Sequence, residues 1–201
     1  MAHKARFQLN GKDIPSVTTF LGVIAKPHLY RWYATFGWDE CERVKRQSAA
    51  FGSQVHDLIE KNFPRPVVDG SRAAECASLA IKFARRAGLE LDMQEQHLVC
   101  EKYKFHGTTD GIGRLRGRPV VADWKTSNSV HAEMGLQLGA YALAYNEHET
   151  DSAKRIEMGL IVRMEKDPAK RPQLEYKLFD LRPTEPYIAA ARTLYEWSRK
   201  H

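Results

Sequence analysis

The sequence lacks the cysteine spacings of disulfide frameworks, zinc sites and iron–sulfur clusters. Its 201 residues include only three cysteines, Cys41, Cys76 and Cys100, which are far apart and form no CxxC pair. An odd and sparse set of this kind is typical of proteins from a reducing compartment. A cysteine-based metal site therefore has little support.

Long apolar runs are also missing. No stretch approaches the roughly 20 apolar residues that a membrane-spanning helix requires, so we expect no membrane partner. Residues Met1–Asn10 contain neither a long apolar run nor a small-residue cleavage site, and we therefore expect no secretory signal. A P-loop of the form GxxxxGK[ST] is absent as well, so any helicase motor must be a separate chain.

What the sequence does contain is a moderate excess of positive charge. It has 31 lysines and arginines against 25 aspartates and glutamates, which gives a formal net charge of +6 and a pI near 9.2. A basic surface favours polyanions such as nucleic acid, although many basic proteins bind none. The length and the 43% hydrophobic content suit one globular domain, and we predict a single domain over residues 1–201.

Hydrophobic periodicity divides the chain into a helical first part and a mixed second part. Residues 1–47 are predicted to form a hairpin over 5–14 with a turn at Asn10-Gly11, followed by short helices, the last around 42–46. Residues 48–201 form the predicted main body. Its helices are expected over 48–62, 71–87, 131–146 and 184–200, and its strands over 93–100, 105–115, 119–125, 155–164 and 174–181. This order predicts an α/β fold with a central mixed sheet flanked by helices.

The segment GTTDGIGRLRGRPVVADWKTS carries the most informative pattern. Asp110 and Asp123 lie symmetrically about the Arg116–Gly117 bond, so a tight turn there places them opposite each other on antiparallel strands. Lys125 follows Asp123 by two residues and points to the same face, whereas Trp124 points away into packing. The tripeptide D-x-K is also common on exposed strands, but the apolar run before Asp123 indicates the end of a buried strand.

Phosphodiester hydrolysis needs such a set of groups. Hard carboxylate oxygens bind Mg²⁺ or Mn²⁺, and a divalent cation neutralises phosphate charge and lowers the pKa of a bound water. A nearby lysine can hold the attacking water or help to deprotonate it. Asp110, Asp123 and Lys125 are therefore the predicted catalytic residues of a metal-dependent hydrolase.

The predicted helix over 48–62 offers a further candidate ligand. Gly52, His56 and Glu60 form one stripe along this helix, beside its apolar face. His56 could bring an imidazole to a metal, which would favour Mn²⁺ over Mg²⁺. The alternative for a single helical histidine is a surface or packing role.

Three other polar residues are candidates for the same site. Glu95 lies in the strand before that of Asp110 and could bind a metal directly or through water, or be an exposed strand residue. Gln137 and Tyr141 share one helix face and could hydrogen-bond a phosphate or a base edge. The alternative for this pair is a contact between the helix and the sheet.

Taken in order, these motifs resemble the RecB-like nucleases of the PD-(D/E)xK superfamily. The resemblance covers roughly residues 48–165 and consists of FGSQVH, the strand with Glu95, GTTDG, VADWKTS and QLGAYALAY. The N-terminal phrase IPSVTTFLGVIAKP also resembles the opening of phage and bacterial members. Each motif is weak alone, but five in this order are specific. The mitochondrial genome maintenance exonuclease and the CRISPR adaptation exonucleases belong to this branch, which has a restriction-endonuclease-like fold.

The resemblance implies a role for each matching residue. One group would bind Mg²⁺ or Mn²⁺: His56, Asp110, Asp123 and the backbone carbonyl of Trp124, with Glu95 as an additional candidate. Lys125 would act on the nucleophilic water, and Gln137 and Tyr141 would contact the DNA strand near the scissile phosphate. Some relatives carry an iron–sulfur cluster on four cysteines, but this chain has no cysteine beyond Cys100, so we expect no iron–sulfur cluster.

The expected function is that of a metal-dependent DNA exonuclease acting on single-stranded DNA or duplex ends, in DNA recombination, DNA repair or phage genome processing. A structure-specific or restriction-like endonuclease is one alternative, and a non-catalytic DNA-binding module on a nuclease scaffold is another. A helicase, recombinase or single-strand-binding protein would be a separate partner, in the cytoplasm of a bacterium or a phage-infected cell. Several basic residues are candidates for contacts to the DNA backbone: Lys26, Arg31, Arg85, Arg86, Arg114 and Arg163.

Overall fold

A computed structural model describes residues 7–201 of the chain, so residues 5 and 6 of the predicted hairpin lie outside it. The helices are α1 (Val17–Phe20), α2 (Pro27–Phe36), α3 (Trp38–Asn62), α4 (Arg72–Ala87), α5 (Ala132–Asn146) and α6 (Glu185–Lys200). The strands are β1 (Gln8–Leu9), β2 (Lys12–Asp13), β3 (Leu89–Cys100), β4 (Phe105–Leu115), β5 (Arg118–Lys125), β6 (Met158–Met164) and β7 (Leu174–Asp180).

Five strands form one mixed sheet in the order β3-β4-β5-β6-β7. Neighbouring strands are antiparallel except for β5 and β6, which are parallel and are connected through α5. The short strands β1 and β2 pair separately, with the predicted turn at Asn10-Gly11, where both residues have positive φ. The α/β fold with a central mixed sheet flanked by helices is confirmed.

Helices cover both faces of the sheet, and each face has its own apolar core. Val121 and Ile161 pack with α1, α5 and α6 on one face, whereas Val120 and Val162 pack with α3 and α4 on the other. Because side chains alternate along a strand, Trp124 belongs to the α3–α4 core, where it is 2% exposed. The same alternation turns Asp123 towards the α5 face.

The ends of α4 and α6 show how well capping can be predicted. α4 begins after Ser71, whose side chain accepts a hydrogen bond from the Ala74 N–H at 3.1 Å, and it ends at Gly88 in the left-handed conformation. The helix predicted over 71–87 therefore has its ends placed to within one residue, and serine and glycine are common at these capping positions. Thr184 precedes α6 as predicted, but its hydroxyl donates to the Leu181 carbonyl at 2.6 Å and does not cap the helix.

The predicted boundaries of three elements were wrong, and for β6 the strand begins at Met158 and not at residue 155. α3 is one helix of 25 residues, whereas separate helices were predicted over 42–46 and 48–62. No glycine or proline lies between the two predicted helices, so nothing interrupts the backbone hydrogen bonds there. The predicted subdivision of the chain at residue 48 therefore falls inside α3. β3 begins at Leu89, directly after α4, and not at Met93.

Candidate active site

The turn between β4 and β5 fixes the register of the two predicted catalytic acids. Arg116 and Gly117 both have positive φ, 51° and 79°, as a two-residue hairpin turn of type I′ requires. The strand pairs run from Leu115↔Arg118 to Gly111↔Ala122, and Asp110 and Asp123 are the next residues after this last pair. The register predicted from the symmetry of the sequence is therefore confirmed as far as Gly111↔Ala122.

Asp123 and Lys125 form a close ion pair on the α5 face of β5. The Lys125 Nζ lies 2.6 Å from Oδ2 of Asp123, whose carboxylate is almost completely enclosed. Burial raises the pKa of Asp123 to about 6, although the charge of Lys125 opposes this shift. For Lys125 itself, burial acts to lower the pKa, but the negative charges of Asp123 and Asp110 outweigh it and raise the pKa. At neutral pH both groups are therefore mainly charged.

Asp110 connects the two strands to α3. Its Oδ2 accepts a hydrogen bond from the Trp124 N–H at 2.7 Å, and its Oδ1 lies 3.3 Å from Nδ1 of His56. Burial acts to lower the pKa of His56, but the hydrogen bond and charge of Asp110 outweigh burial and raise it. The imidazole from α3 is thus held against a carboxylate from β4.

Glu95 completes a compact group of ligand atoms in an unusual backbone conformation. It lies in β3 between the pairs Gln94↔Gly111 and Gln96↔Thr109, beside Asp110, and has a φ of 47°. A left-handed conformation of this kind costs roughly 1–2 kcal/mol for a residue with a side chain. The ligand atoms of His56, Glu95 and Asp110 all lie within 4.8 Å of one another.

These three side chains open into a groove of about 400 Å³ between α3 and the strands β3 and β4. The groove is lined by residues of α3 and by the two carboxylates: Ala49, Gly52, Ser53, His56, Asp57, Glu60, Glu95 and Asp110. The predicted stripe of Gly52, His56 and Glu60 therefore faces the site, and Asp57 adds an acid that the sequence pattern did not reveal. Burial raises the pKa of Glu95, and the charge of Asp110 adds to this effect.

The donor set of the groove suits a divalent cation. Carboxylate oxygens with one imidazole nitrogen are ligands for Mn²⁺ and, through the oxygens, for Mg²⁺. Asp123 lies next to the His56–Glu95–Asp110 group, since the charges of Asp110 and His56 both act on its pKa. The backbone carbonyl of Trp124 stays a predicted ligand.

Gln137 and Tyr141 lie together on α5, as their spacing predicted. The Gln137 Nε2 donates to the Tyr141 hydroxyl at 3.0 Å. The tyrosine is 4% exposed and packs so closely on β4 that a Cβ at Gly107 would lie 2.7 Å from its ring. Burial raises the pKa of Tyr141, and the nearby charge of Asp123 adds to the shift. Tyr141 therefore stays protonated beside the acids, and its contact with DNA remains a prediction.

Arg163 was predicted as a DNA-contacting residue, and this prediction is wrong. Its side chain is buried, with Nε donating to the Ser127 carbonyl at 2.6 Å and Nη2 donating to Glu165 at 3.0 Å. It pairs in register with Lys125 across β5 and β6. Arg163 therefore holds the loop that follows Lys125, a role that no local pattern signals because Ser127 lies 36 positions away.

A family model described as the PD-(D/E)XK nuclease superfamily matches residues 69–198, well over half of the chain. The chain belongs to the PD-(D/E)XK nuclease superfamily. The matched range includes Asp110, Asp123 and Lys125, while His56 lies before it. Membership of this superfamily indicates a metal-dependent nuclease, and the ligand group in the groove is consistent with a divalent metal.

Solved structures also resemble this superfamily member. Twelve chains match, and one of them, described as "Crystal structure of SSO0001", is 19% identical with a TM-score of 0.36. That match covers 72% of this chain and 75% of the other. A comparison with curated protein sequences finds no match. Within residues 7–201, no helix combines the length and the apolar character needed to cross a membrane.

Proposed function

We propose that this PD-(D/E)XK protein is a divalent-cation-dependent DNA exonuclease that hydrolyses phosphodiester bonds in single-stranded DNA or at DNA ends. One observation carries the proposal: the His56–Glu95–Asp110 group lies beside the Asp123–Lys125 pair at the edge of an open groove. Such a gathering of three carboxylates is not expected from packing alone, because like charges brought close together repel one another.

In this proposal one set of residues holds the cation, either Mg²⁺ or Mn²⁺: His56, Glu95, Asp110, Asp123 and the Trp124 carbonyl. A bound divalent cation offsets phosphate charge and activates water for attack. Asp110 also has a structural role. Its carboxylate accepts a hydrogen bond from the Trp124 N–H on β5 and contacts His56 on α3, so it connects these two elements. The geometry of the ligand group thus depends on Asp110 more than on any other side chain.

Lys125 acts on water and phosphate as a cation. Because the charges of Asp123 and Asp110 raise its pKa, its ammonium stays protonated at neutral pH and is a poor general base. It can instead donate hydrogen bonds that orient the attacking water and stabilise negative charge as the phosphate reacts. Gln137 and Tyr141 are assigned to contacts with the DNA strand, the tyrosine hydroxyl being fixed by the amide of Gln137.

The finer assignment is to the RecB-like branch, in DNA recombination, DNA repair or phage genome processing in the cytoplasm. The ordered motifs from FGSQVH to QLGAYALAY support the branch, and the net charge of +6 supports a polyanionic substrate. Because the sequence contains no P-loop of the form GxxxxGK[ST], a separate helicase, recombinase or single-strand-binding protein is the proposed partner.

A nuclease assay tests this proposal. Single-stranded and duplex DNA labelled at the 5′ or 3′ end, together with covalently closed circular DNA, would be incubated with the wild-type protein and Mn²⁺, Mg²⁺ or a chelator. We expect metal-dependent release of short products from linear DNA and no cutting of closed circles. Cutting of closed circles would identify an endonuclease, and no cleavage of any substrate would leave only a DNA-binding module.

The variant Lys125→Ala tests the assigned role of the lysine in the same assay. We expect its rate to fall by at least about 100-fold, on the scale of losing one group that stabilises transition-state charge. Lys177→Ala is the matched control, because Lys177 also lies on a sheet strand but is exposed on β7. Equal rates for the two variants would contradict the proposal, provided that circular dichroism shows both to be folded.

A further inference from the structure

A second cavity, of about 850 Å³, lies where the N-terminal segment meets α6 and the ends of β3 and β4. Its wall includes Tyr141 from α5 and Thr108, which lies two residues before Asp110 on β4. The cavity therefore begins beside the candidate active site and leads away from it along β4. Its volume is in the range of cavities that hold small organic ligands.

Three aromatic rings form one side of this cavity. The ring centroid of Phe7 lies 4.8 Å from that of His106, with the two rings stacked, and 4.9 Å from that of His97. The ring centroids of the two histidines are 5.2 Å apart. Burial lowers the pKa of His106, and the neighbouring His97 adds to this shift, so the surroundings of the ring favour its uncharged form. His97 is exposed, and planar rings of this kind are surfaces on which nucleobases stack.

Cationic side chains of α6 form the opposite side. Arg192 is 8% exposed, and its Nε and Nη2 donate to the Lys104 carbonyl at 3.3 Å, while Nη2 also pairs with Glu196 at 3.0 Å. Its Nη1 is buried without a hydrogen bond to any residue in the range 7–201. Arg199 and Lys200, in the last turn of the helix, also line the cavity.

Two residues in the wall of the cavity have a polar atom without a partner. The Nδ1 of His106 and the Nη1 of Arg192 are buried and have no hydrogen-bond partner within the described range. Buried polar groups are nearly always hydrogen-bonded in folded proteins, so the cavity wall has hydrogen-bonding capacity that the fold does not use. A cationic donor matches a phosphate oxygen. The three cations, Arg192, Arg199 and Lys200, outnumber the acids of the lining, Asp13 and Glu196.

We infer that this cavity binds a single strand of nucleic acid next to the active site, with its phosphates facing α6 and a base stacked on the ring cluster. The inference rests on the proposed nuclease function for the identity of its ligand. A duplex keeps its bases inside the helical stack, where the Phe7–His97–His106 rings cannot reach them. The cavity would therefore select unpaired strands and guide them past Tyr141 to the metal ligands.

Binding of a fluorescein-labelled oligo-dT strand, measured by anisotropy with the full chain in a chelator, tests the cationic side without cleavage. We expect Arg199→Ala/Lys200→Ala to weaken binding at least about 5-fold and to reduce its salt dependence, because phosphate contacts are lost. Lys154→Ala/Arg155→Ala is the matched control, since it also removes two adjacent and exposed cations, from the segment before β6, and neither residue lines the cavity.

A second comparison tests the ring cluster. His97→Ala should weaken oligo-dT binding about 5-fold, the scale of one base–ring stack, and should leave binding of an abasic strand of equal length and of a blunt duplex unchanged. Tyr176→Ala is the control, because Tyr176 is an exposed ring on β7, at the other edge of the sheet, and is tilted against Phe83 with 4.9 Å between the ring centroids. We expect no change for the control with any of the three probes.

Three results would overturn the inference. The first is equal binding by the two double variants, and the second is oligo-dT binding by His97→Ala at the wild-type level. The third is displacement of oligo-dT by thymidine monophosphate at the same nucleotide concentration, which would assign the cavity to free nucleotides. If the variants lose oligo-dT binding selectively but the wild type shows no metal-dependent cleavage, the strand site is supported and the proposed nuclease function is rejected. If the wild type cleaves DNA but the variants bind oligo-dT as well as it does, the nuclease function is supported and the strand site is rejected.

Discussion

Two buried carboxylates at the ends of adjacent strands have opposite properties. Asp123 on β5 is 2% exposed and Glu165, directly after β6, is 8% exposed. Burial raises the pKa of Asp123 to about 6. The Asp167 N–H and the Arg163 guanidinium outweigh burial at Glu165 and lower its pKa to about 2. The surroundings of Glu165 thus stabilise its charged form, whereas burial disfavours the charged form of Asp123.

The surroundings of Glu165 explain this difference. Arg163 donates to its carboxylate at 3.0 Å, and the Asp167 N–H donates to the other oxygen at 3.1 Å. Arg72 donates to the backbone carbonyls of Glu165 and Asp167, both at 2.9 Å. Around Asp123, by contrast, Lys125 forms the one ion pair found among residues 7–201, and the other charges that act on the pKa of Asp123 are those of Asp110 and His56. A closed network stabilises the fold, whereas an open one leaves room for an added cation.

The largest expected difference between the two carboxylates is in activity. Asp123→Asn should reduce metal-dependent DNA cleavage by at least about 100-fold, because a charged ligand beside the scissile phosphate is lost. Glu165→Gln should keep the wild-type rate when it is assayed well below its unfolding temperature. Cleavage rates on end-labelled single-stranded DNA measure both effects. Comparable losses of rate in the two variants would contradict the assignment of different roles to Asp123 and Glu165.

The next largest difference is in stability. Glu165→Gln removes the charge that balances buried Arg163, which we expect to destabilise the protein by about 2–3 kcal/mol. For a domain of this size that corresponds to a fall in Tm of roughly 5–10 °C. Differential scanning calorimetry in a chelator measures the change. A Tm within a degree or two of the wild type would mean that the network around Glu165 is not structural.

The pH dependence of that stability difference sharpens the contrast. Because the folded pKa of Glu165, about 2, lies below its ordinary value of 4.5, its contribution is complete above about pH 4.5 and is lost as the pH falls towards 2. The Tm difference between wild type and Glu165→Gln should therefore shrink between pH 6 and pH 3. Asp180→Asn is the control, since the pKa of Asp180 is also lowered to about 2, by Arg182, but the pair is exposed and should affect Tm little at any pH.

The smallest expected effect concerns Glu95, which lies in the same candidate site as Asp123. Glu95→Gly should relieve the left-handed backbone at φ 47° and stabilise the metal-free protein by about 1 kcal/mol, a rise in Tm of roughly 2–4 °C. The same change removes a proposed ligand, so the increase in Tm caused by Mn²⁺ should become smaller. Glu95→Gln keeps the strained backbone and should lose only the Mn²⁺ effect. A Tm gain in both variants would contradict the explanation by strain.

Local rules predicted the centre of the site well. The type I′ turn at Arg116-Gly117 fixes the register, so counting outward from it places Asp110 opposite Asp123, and the period of two adds Lys125 to the same face. The helical period likewise turned His56 towards the groove. These relations depend on backbone geometry within one hairpin or one helix, which the sequence specifies directly.

The features that could not be predicted depend on distant contacts. Nothing in the residues around Arg163 distinguishes a buried guanidinium from a free one, since its partner loop is joined to it only through the pairing of β5 and β6. The left-handed backbone of Glu95 is equally hidden, because glutamate rarely adopts it. The cavity between Phe7 and α6 brings together residues from opposite ends of the chain, and no local pattern relates them.

Diffraction from a Mn²⁺-soaked crystal at a wavelength near the manganese absorption edge tests the central claim most directly. The account predicts an anomalous peak in the groove, within bonding distance of His56 and Asp110, that disappears in the Asp110→Asn variant. A peak elsewhere, or none at a Mn²⁺ concentration that supports cleavage, would contradict the account.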